Sequence, residues 1–285
     1  MRLAKINIRD PFILSADGIY YLYGTRPQWF GTYTGGFDVY TSADLQEWSD
    51  PIQCFDSVKF GLNRQVNWAP EVHKYHGKYY MFATFTQDNN LRGAYILVSE
   101  SPMGPFLPHS DGAVTPKDWE CLDGTLYLSD NGEPYLVFCH EHTQVVDGTI
   151  CYLRLSEDLT HSVGDPVYLF SGSSPDWADK KPAGKHYITD GPFLFCTQTG
   201  EQLLISSTSI QGQYAQCVAR SDNGKLDGNF IHLPPLITND GGHGMIFRKI
   251  GTNSLALIYH SPNRQGEEHP CIRELTDAGD CLVLD

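Results

Sequence analysis

CLDGTLYLSDNGEPYLVF, residues 121–138, holds two apolar runs joined by a Ser-Asp-Asn-Gly turn. Asn-Gly supplies the positive φ that a tight hairpin needs, and the flanking Leu, Tyr, Val and Phe are strand formers. The reading is therefore two antiparallel strands, with Asp123 at the entrance to the first. The same pattern of a short polar residue beside Pro or Gly, opening an apolar strand, occurs in IRDPFIL (8–14), NWAPEVHKY (67–75), ITDGPFLF (188–195) and GGHGMIF (241–247). Their partner strands are YYLYGT (20–25), YYMFATF (79–85), LLISST (203–208) and LALIYH (255–260). The anchors recur roughly every 50–65 residues, a period of propeller blades or another repeat architecture.

The five units run at approximately 7–60, 61–118, 119–180, 181–240 and 241–285. Outer strands follow each hairpin, as in FDVYTSADL from Phe37 and ICYLRLSEDL from Ile150. The last unit is shorter, and in a closed ring the N-terminal strand is available to complete it. SGSSPDWADKKPAGKHY, residues 171–187, reads as a long exposed loop, and no low-complexity linker divides the chain. One all-β domain over residues 1–285 is the expectation.

Composition is that of a globular protein, with 41% hydrophobic, 12% aromatic and 19% charged residues. A net charge of −14 argues against nucleic acid or an anionic membrane as partner and suits a neutral substrate. No apolar run approaches the ~18 residues of a membrane helix. MRLAKINIRDPF holds no apolar signal core, so a cytoplasmic location is expected. The 8 cysteines lack zinc-site spacing and read as reduced, mostly buried thiols.

Three of the five anchors are aspartates, at 10, 123 and 190, and one is a histidine, at 243. Taken singly, an Asp before Gly or Pro is a turn former. Converging on one axis, three carboxylates and an imidazole make an enzyme site. Glu71 is a rival carboxylate, but strand alternation turns it from the anchor-facing side. His140, Glu141 and His142 lack helical zinc spacing and read as pocket rim or surface. Trp68 is the foremost stacking platform for an apolar sugar face. Trp29 and Phe30, in RPQWFGTYTGGF, are exposed aromatics that need a ligand or a lid to cover them.

From Asn7 to Leu275 the chain resembles the family-43 glycoside hydrolases, which are five-bladed β-propellers with the active site at one end of the axis. RDPF with YYLYGT is similar to the family's first blade, NWAPEVHKYHGKYYMF to the second and DGTLYLSDNGEPYL to the third. The resemblance implies Asp10 as general base and Asp123 as the group that orients the acid and adjusts its pKa. GGHGMIF is similar to the fifth-blade motif, which implies that His243 faces a metal ion or water in the channel. The resemblance implies no cofactor for the chemistry itself, with a structural calcium or other ion in the central channel near His243 as the candidate bound metal. In the fourth blade the family's Glu-Gly-Pro is replaced by Asp190-Gly191-Pro192, which puts an acid one methylene shorter in the general acid's place. Near the end, His269-Pro270 stands where many relatives have Arg-Pro.

The implied activity is inverting release of terminal arabinofuranosyl or xylosyl units from oligosaccharides. Asp10 is then expected to be ionised and Asp190 protonated. A weakly active or inactive sugar-binding propeller is the alternative that the shortened acid motivates. A glycoside phosphorylase on the same fold would need a cationic cluster for phosphate, and the anchors offer little beyond Arg9 and His243. Oligomeric state is not legible.

Overall fold

The computed structural model describes residues 1–27, 35–178 and 186–285. Among the described residues, twenty strands form five four-stranded antiparallel sheets, each made of consecutive strands in simple meander order. Blade 1 contains β1 (Arg9–Ala16), β2 (Ile19–Thr25), β3 (Phe37–Ser42) and β4 (Ile52–Phe55). Blade 2 contains β5 (Asn67–Tyr75), β6 (Lys78–Thr86), β7 (Arg92–Ser99) and β8 (Leu107–Pro108). In blade 3, β9 (Cys121–Leu128) and β10 (Pro134–His140) precede the single helical turn α1 (His142–Val145), then β11 (Thr149–Leu155) and β12 (Ser162–Ser171). Blade 4 is β13 (Asp190–Cys196), β14 (Gln202–Ile210), β15 (Gln213–Ser221) and β16 (Phe230–His232). Blade 5 is β17 (Gly242–Arg248), β18 (Leu255–Ser261), β19 (His269–Asp277) and β20 (Leu282–Leu284). The first strand of each blade packs on the first strand of the next, and β17 returns to β1. The fold is a five-bladed β-propeller.

Local chemistry explains the hairpins: at the β1–β2 turn Asp17 and Gly18 both take positive φ, 50° and 80°, as a two-residue turn between twisted strands requires. Apolar side chains fill the spaces between neighbouring blades. Ile13, Leu22 and Tyr23 of blade 1, Met81 and Phe85 of blade 2, and Phe247 and Ile258 of blade 5 share one buried cluster. Separate clusters join blades 2 and 3, 3 and 4, and 4 and 5. Each such side chain stabilises by about 1.5–3 kcal/mol through burial, so the blades cohere by area and not by covalent links. All eight cysteines are free thiols, five of them buried.

The last blade has four strands of its own, so the N-terminal strand does not complete it. Instead the seam between blades 5 and 1 is tied by polar contacts. His269 Nδ1 donates to Ile6 O (2.7 Å), Asn7 Nδ2 to Glu268 O (2.6 Å), and Ile250 N to the Tyr20 hydroxyl (2.6 Å). Among the described residues, no helix is long and apolar enough to cross a membrane.

Candidate active site

Every first strand carries a bulge at the same register. Two residues (Asp10-Pro11, Ala69-Pro70, Asp123-Gly124, Gly191-Pro192 and His243-Gly244) each oppose a single residue of the second strand. The first member of each pair is left-handed, with φ of 52°, 46°, 57°, 50° and 49°. The second is Pro or Gly, residues suited to a position that has left the ladder. These bulges are the physical origin of the repeated polar-Pro/Gly signature. They also correct one sequence expectation. Asp190 is not the counterpart of Asp10, Asp123 and His243: it stands one residue earlier, level with Arg9, Trp68, Leu122 and Gly242, and Gly191 takes the left-handed place.

The second strands answer this register. Level with the residue before each bulge stand Thr25, Thr84, Cys139, Ser207 and His260. Four of them accept a hydrogen bond from the left-handed residue of the next blade. Ala69 N donates to Thr25 Oγ1 (2.7 Å), Asp123 N to Thr84 Oγ1 (3.0 Å), His243 N to Ser207 Oγ (2.6 Å), and Asp10 N to His260 Nδ1 (3.2 Å). A thiol is a weak acceptor. In blade 3, Asp123 Oδ2 accepts from Gly191 N instead, at 3.0 Å. The series runs around the whole ring and fixes where each left-handed backbone sits.

A cavity of about 830 Å³ opens at this level, lined by Asp10, Asp123, Asp190, His243 and Trp68 among others. Asp10 is 6% exposed. Its Oδ1 lies 3.1 Å from His243 Nδ1 and 3.3 Å from Arg9 Nε, and Thr25 Oγ1 donates to Oδ2 at 2.6 Å. Burial opposes ionisation, but His243, Arg9 and the Thr25 hydroxyl outweigh it and hold Asp10 well below the usual carboxylate range. Asp123 is raised by burial and by the charges of Asp190 and Asp10, against the pull of His243. Asp190 is raised by burial and by Glu141, with His243, Tyr214 and Arg9 opposing. Burial disfavours charge on His243, yet Asp10, Asp123 and Asp190 raise its pKa. The neighbouring carboxyls thus favour its protonated form. His260, fully buried, is lowered to about 3 and stays neutral, so its Nδ1 is free to accept from Asp10 N.

That charge arrangement tests the channel ion implied at His243. Nδ1 faces Asp10 and, at 3.8 Å, Asp123. The ring packs against the Gly191 backbone so closely that a Cβ there would lie 2.7 Å from His243 Cδ2. Among the described residues no three His, Cys, Asp or Glu side chains converge as a metal cage. Nδ1 is thus engaged with Asp10, and a cage of three protein donors is not found beside it among the described residues.

The sequence model of the Glycosyl hydrolases family 43 matches residues 4–276. The chain belongs to that family. An endo-arabinase from Bacteroides thetaiotaomicron VPI-5482 is 36% identical, with 97% of this chain and 96% of that one covered and a TM-score of 0.88. A thermostable family-43 glycoside hydrolase, 23% identical over 98% and 93% of the two chains (TM-score 0.86), shares the fold. So does an endo-1,4-beta-xylanase from the same Bacteroides strain, 21% identical over 99% and 95% (TM-score 0.81). No curated protein matches.

Other residues of this family-43 chain fall as follows. Trp68 faces the cavity with the Arg92 guanidinium over its ring at 5.2 Å. Trp29 and Phe30 lie outside the described residues. Glu71 bonds His73 (3.1 Å) and, among the described residues, does not line the cavity. Glu141 does line it, as the pocket place expected for the triplet allows, and at 5% exposed it is buried and not a surface residue. Strand β10 ends at His140, which stacks on Trp119, and α1 begins, so Glu141 caps that turn from inside while its Oε2 meets Arg92 at 3.0 Å. Tyr214, whose hydroxyl reaches Asp190, has no motif in the sequence. Four arginines line the cavity, more cations than the anchor segments show. Each meets a carboxylate: Arg9 with Asp10 and Glu268, Arg26 with Asp38, Arg64 with Asp88, and Arg92 with Glu120 and Glu141.

Proposed function

We propose that the chain hydrolyses arabinofuranosidic bonds with inversion, releasing terminal units from arabino-oligosaccharides, with xylosyl units as the lesser substrate. The observation that carries this reading is the opposite treatment of two carboxyls in one cavity: Asp10 is held ionised and Asp190 is driven towards its protonated form. In the reaction, Asp190 gives its proton to the glycosidic oxygen as that bond breaks. Asp10 takes a proton from water, whose oxygen attacks the anomeric carbon from the opposite face. Inverting pairs of this kind stand roughly 6.5–9.5 Å apart to admit that water. Asp123 orients the acid by accepting from Gly191 N, the amide next to Asp190, and charge on Asp190 opposes ionisation of Asp123. Trp68 offers an apolar face to the sugar.

The 36% identical endo-arabinase favours arabinose over xylose as the sugar. Its name also supports a second reading, cleavage within arabinan chains. Proton NMR of the first-formed sugar, with product sizing on linear arabinan, arabino-oligosaccharides and xylo-oligosaccharides, tests both. Free arabinose appearing first, in the anomeric form opposite to the bond cleaved, is the expected result. A ladder of oligomers favours interior cleavage. Retained configuration overturns the mechanism. Sugar binding without hydrolysis on any of these substrates leaves a binding propeller.

A further inference from the structure

We propose that Tyr214, reaching in from the third strand of blade 4, is the positioning residue of the shortened acid: its hydroxyl donates to Asp190 Oδ2 at 2.9 Å and so leaves the transferable proton on Oδ1. The inference rests on the reading of Asp190 as the acid. A protonated carboxyl has one carbonyl oxygen and one hydroxyl. A phenol that donates to Oδ2 makes that atom the carbonyl, and the same bond then receives the carboxylate once the proton has gone.

The way Tyr214 gets there is particular to this ring. It belongs to β15, whereas the other residues around the acid come from first strands, from β10 or from the blade 3 turn. The space it enters is the one that Gly242 leaves vacant. At that register the other blades carry Arg9, Trp68, Leu122 and Asp190, and a Cβ on Gly242 would stand 2.8 Å from Tyr214 Cε1 and 2.7 Å from Ser207 Oγ. The phenol ring is stacked on His260 (centroids 5.4 Å, planes 21° apart), the histidine that holds the Asp10 amide. Tyr214 is 4% exposed, so its hydroxyl is not shared with bulk water. Acid and base are thereby tied to one another through Tyr214 and His260.

The groups facing Asp190 are Arg9 of β1, Asp123 of β9, Cys139 of β10, Glu141, His142 of α1, His243 of β17 and Tyr214 itself. Burial and Glu141 favour the protonated form, while the Tyr214 bond favours the ionised one. Removing the hydroxyl therefore makes Asp190 a weaker, less well aimed acid. Because activity is lost as the acid ionises, the alkaline limb of the pH profile moves upward.

The test is Tyr214→Phe, compared on an arabino-oligosaccharide and on an aryl arabinofuranoside with a good leaving group. The expected result is an alkaline limb about one pH unit higher. The oligosaccharide rate should fall about 10–100-fold, and the activated substrate should change by less than about threefold. Trifluorotyrosine at position 214, a stronger donor of nearly the same shape, should move the limb the other way, and it decides the matter should the Phe variant not fold. An unmoved limb in either variant, or equal losses on both substrates, overturns the inference. Asp190→Asn separates the two levels. If it loses activity equally on good and poor leaving groups, the reading of Asp190 as the acid fails. If it loses selectively on poor ones while Tyr214→Phe does not, the role of Tyr214 alone fails.

Discussion

At the scale of single residues, Asp10 and Asp123 both touch His243, yet their charges have opposite consequences. On the proposed mechanism Asp10→Ala removes the base that activates water, and kcat should fall by about 10²–10⁴-fold. Azide, a nucleophile that needs no base, should then restore turnover and give a glycosyl azide of inverted configuration by NMR. Near-normal turnover without azide would refute the assignment. Stability separates the pair in the opposite sense. The folded pKa of Asp10 is lowered, so its contribution is present above about pH 4 and is lost as pH falls towards the folded value. The folded pKa of Asp123 is raised, so as pH climbs above about 4 the unfolded chain ionises first and stability is lost. At pH 7–8, Asp10→Asn should therefore lower Tm and Asp123→Asn should raise it, each by roughly a few degrees. Melts of both variants at pH 4 and pH 8 check the signs, and a fall in Tm for Asp123→Asn at pH 8 contradicts the charge assignment.

At the scale of the strand, the bulge is the unit that carries function. Ala69 occupies its left-handed place at φ 46° with a Cβ that a right-handed preference resists, at a cost of about 1–2 kcal/mol. Ala69→Gly should be neutral or stabilising by up to about 1 kcal/mol in denaturant melts. Gly191→Ala should destabilise by more than that amount, because the added Cβ meets both a positive φ and the His243 ring. A destabilised Ala69→Gly would show that the bulge is not strained. The bulges were legible as polar residues beside Pro or Gly, since a left-handed residue followed by one that has left the ladder restricts the residue types. Their exact phase was not. In Asp123-Gly124 the aspartate is left-handed, whereas in Asp190-Gly191-Pro192 the glycine is, and both dipeptides satisfy the local rule. Glu141 was legible as a pocket residue, but its burial against Arg92 was not, because β10 gives way there to a helical turn. Tyr214 and His260 left no trace because their positions depend on packing between blades, which no local pattern records.

At the scale of the molecule, the ring closes without an exchanged strand, so the seam between blades 5 and 1 rests on side-chain packing and a few hydrogen bonds. Asn7 and His269 each bridge it from outside the catalytic cavity. Asn7→Ala combined with His269→Ala removes two such bonds and should lower Tm by about 5 °C, with KM unchanged. An unchanged Tm would show that apolar packing alone closes the ring. Meander order within each blade followed from the turn residues. The way the ring shuts did not, because closure pairs the two ends of the chain.

The left-handed amides around the axis also act as a filter on chemistry. A backbone at φ near 50° tolerates Asp, Asn, His and Gly far better than branched or bulky residues. Four of the five positions here, Asp10, Asp123, Gly191 and His243, come from that small set. The conformation that shapes the ring thus preselects side chains able to exchange protons or to make room for a neighbour. The same backbone position holds a titratable group in three blades and makes room in a fourth, on one unchanged scaffold.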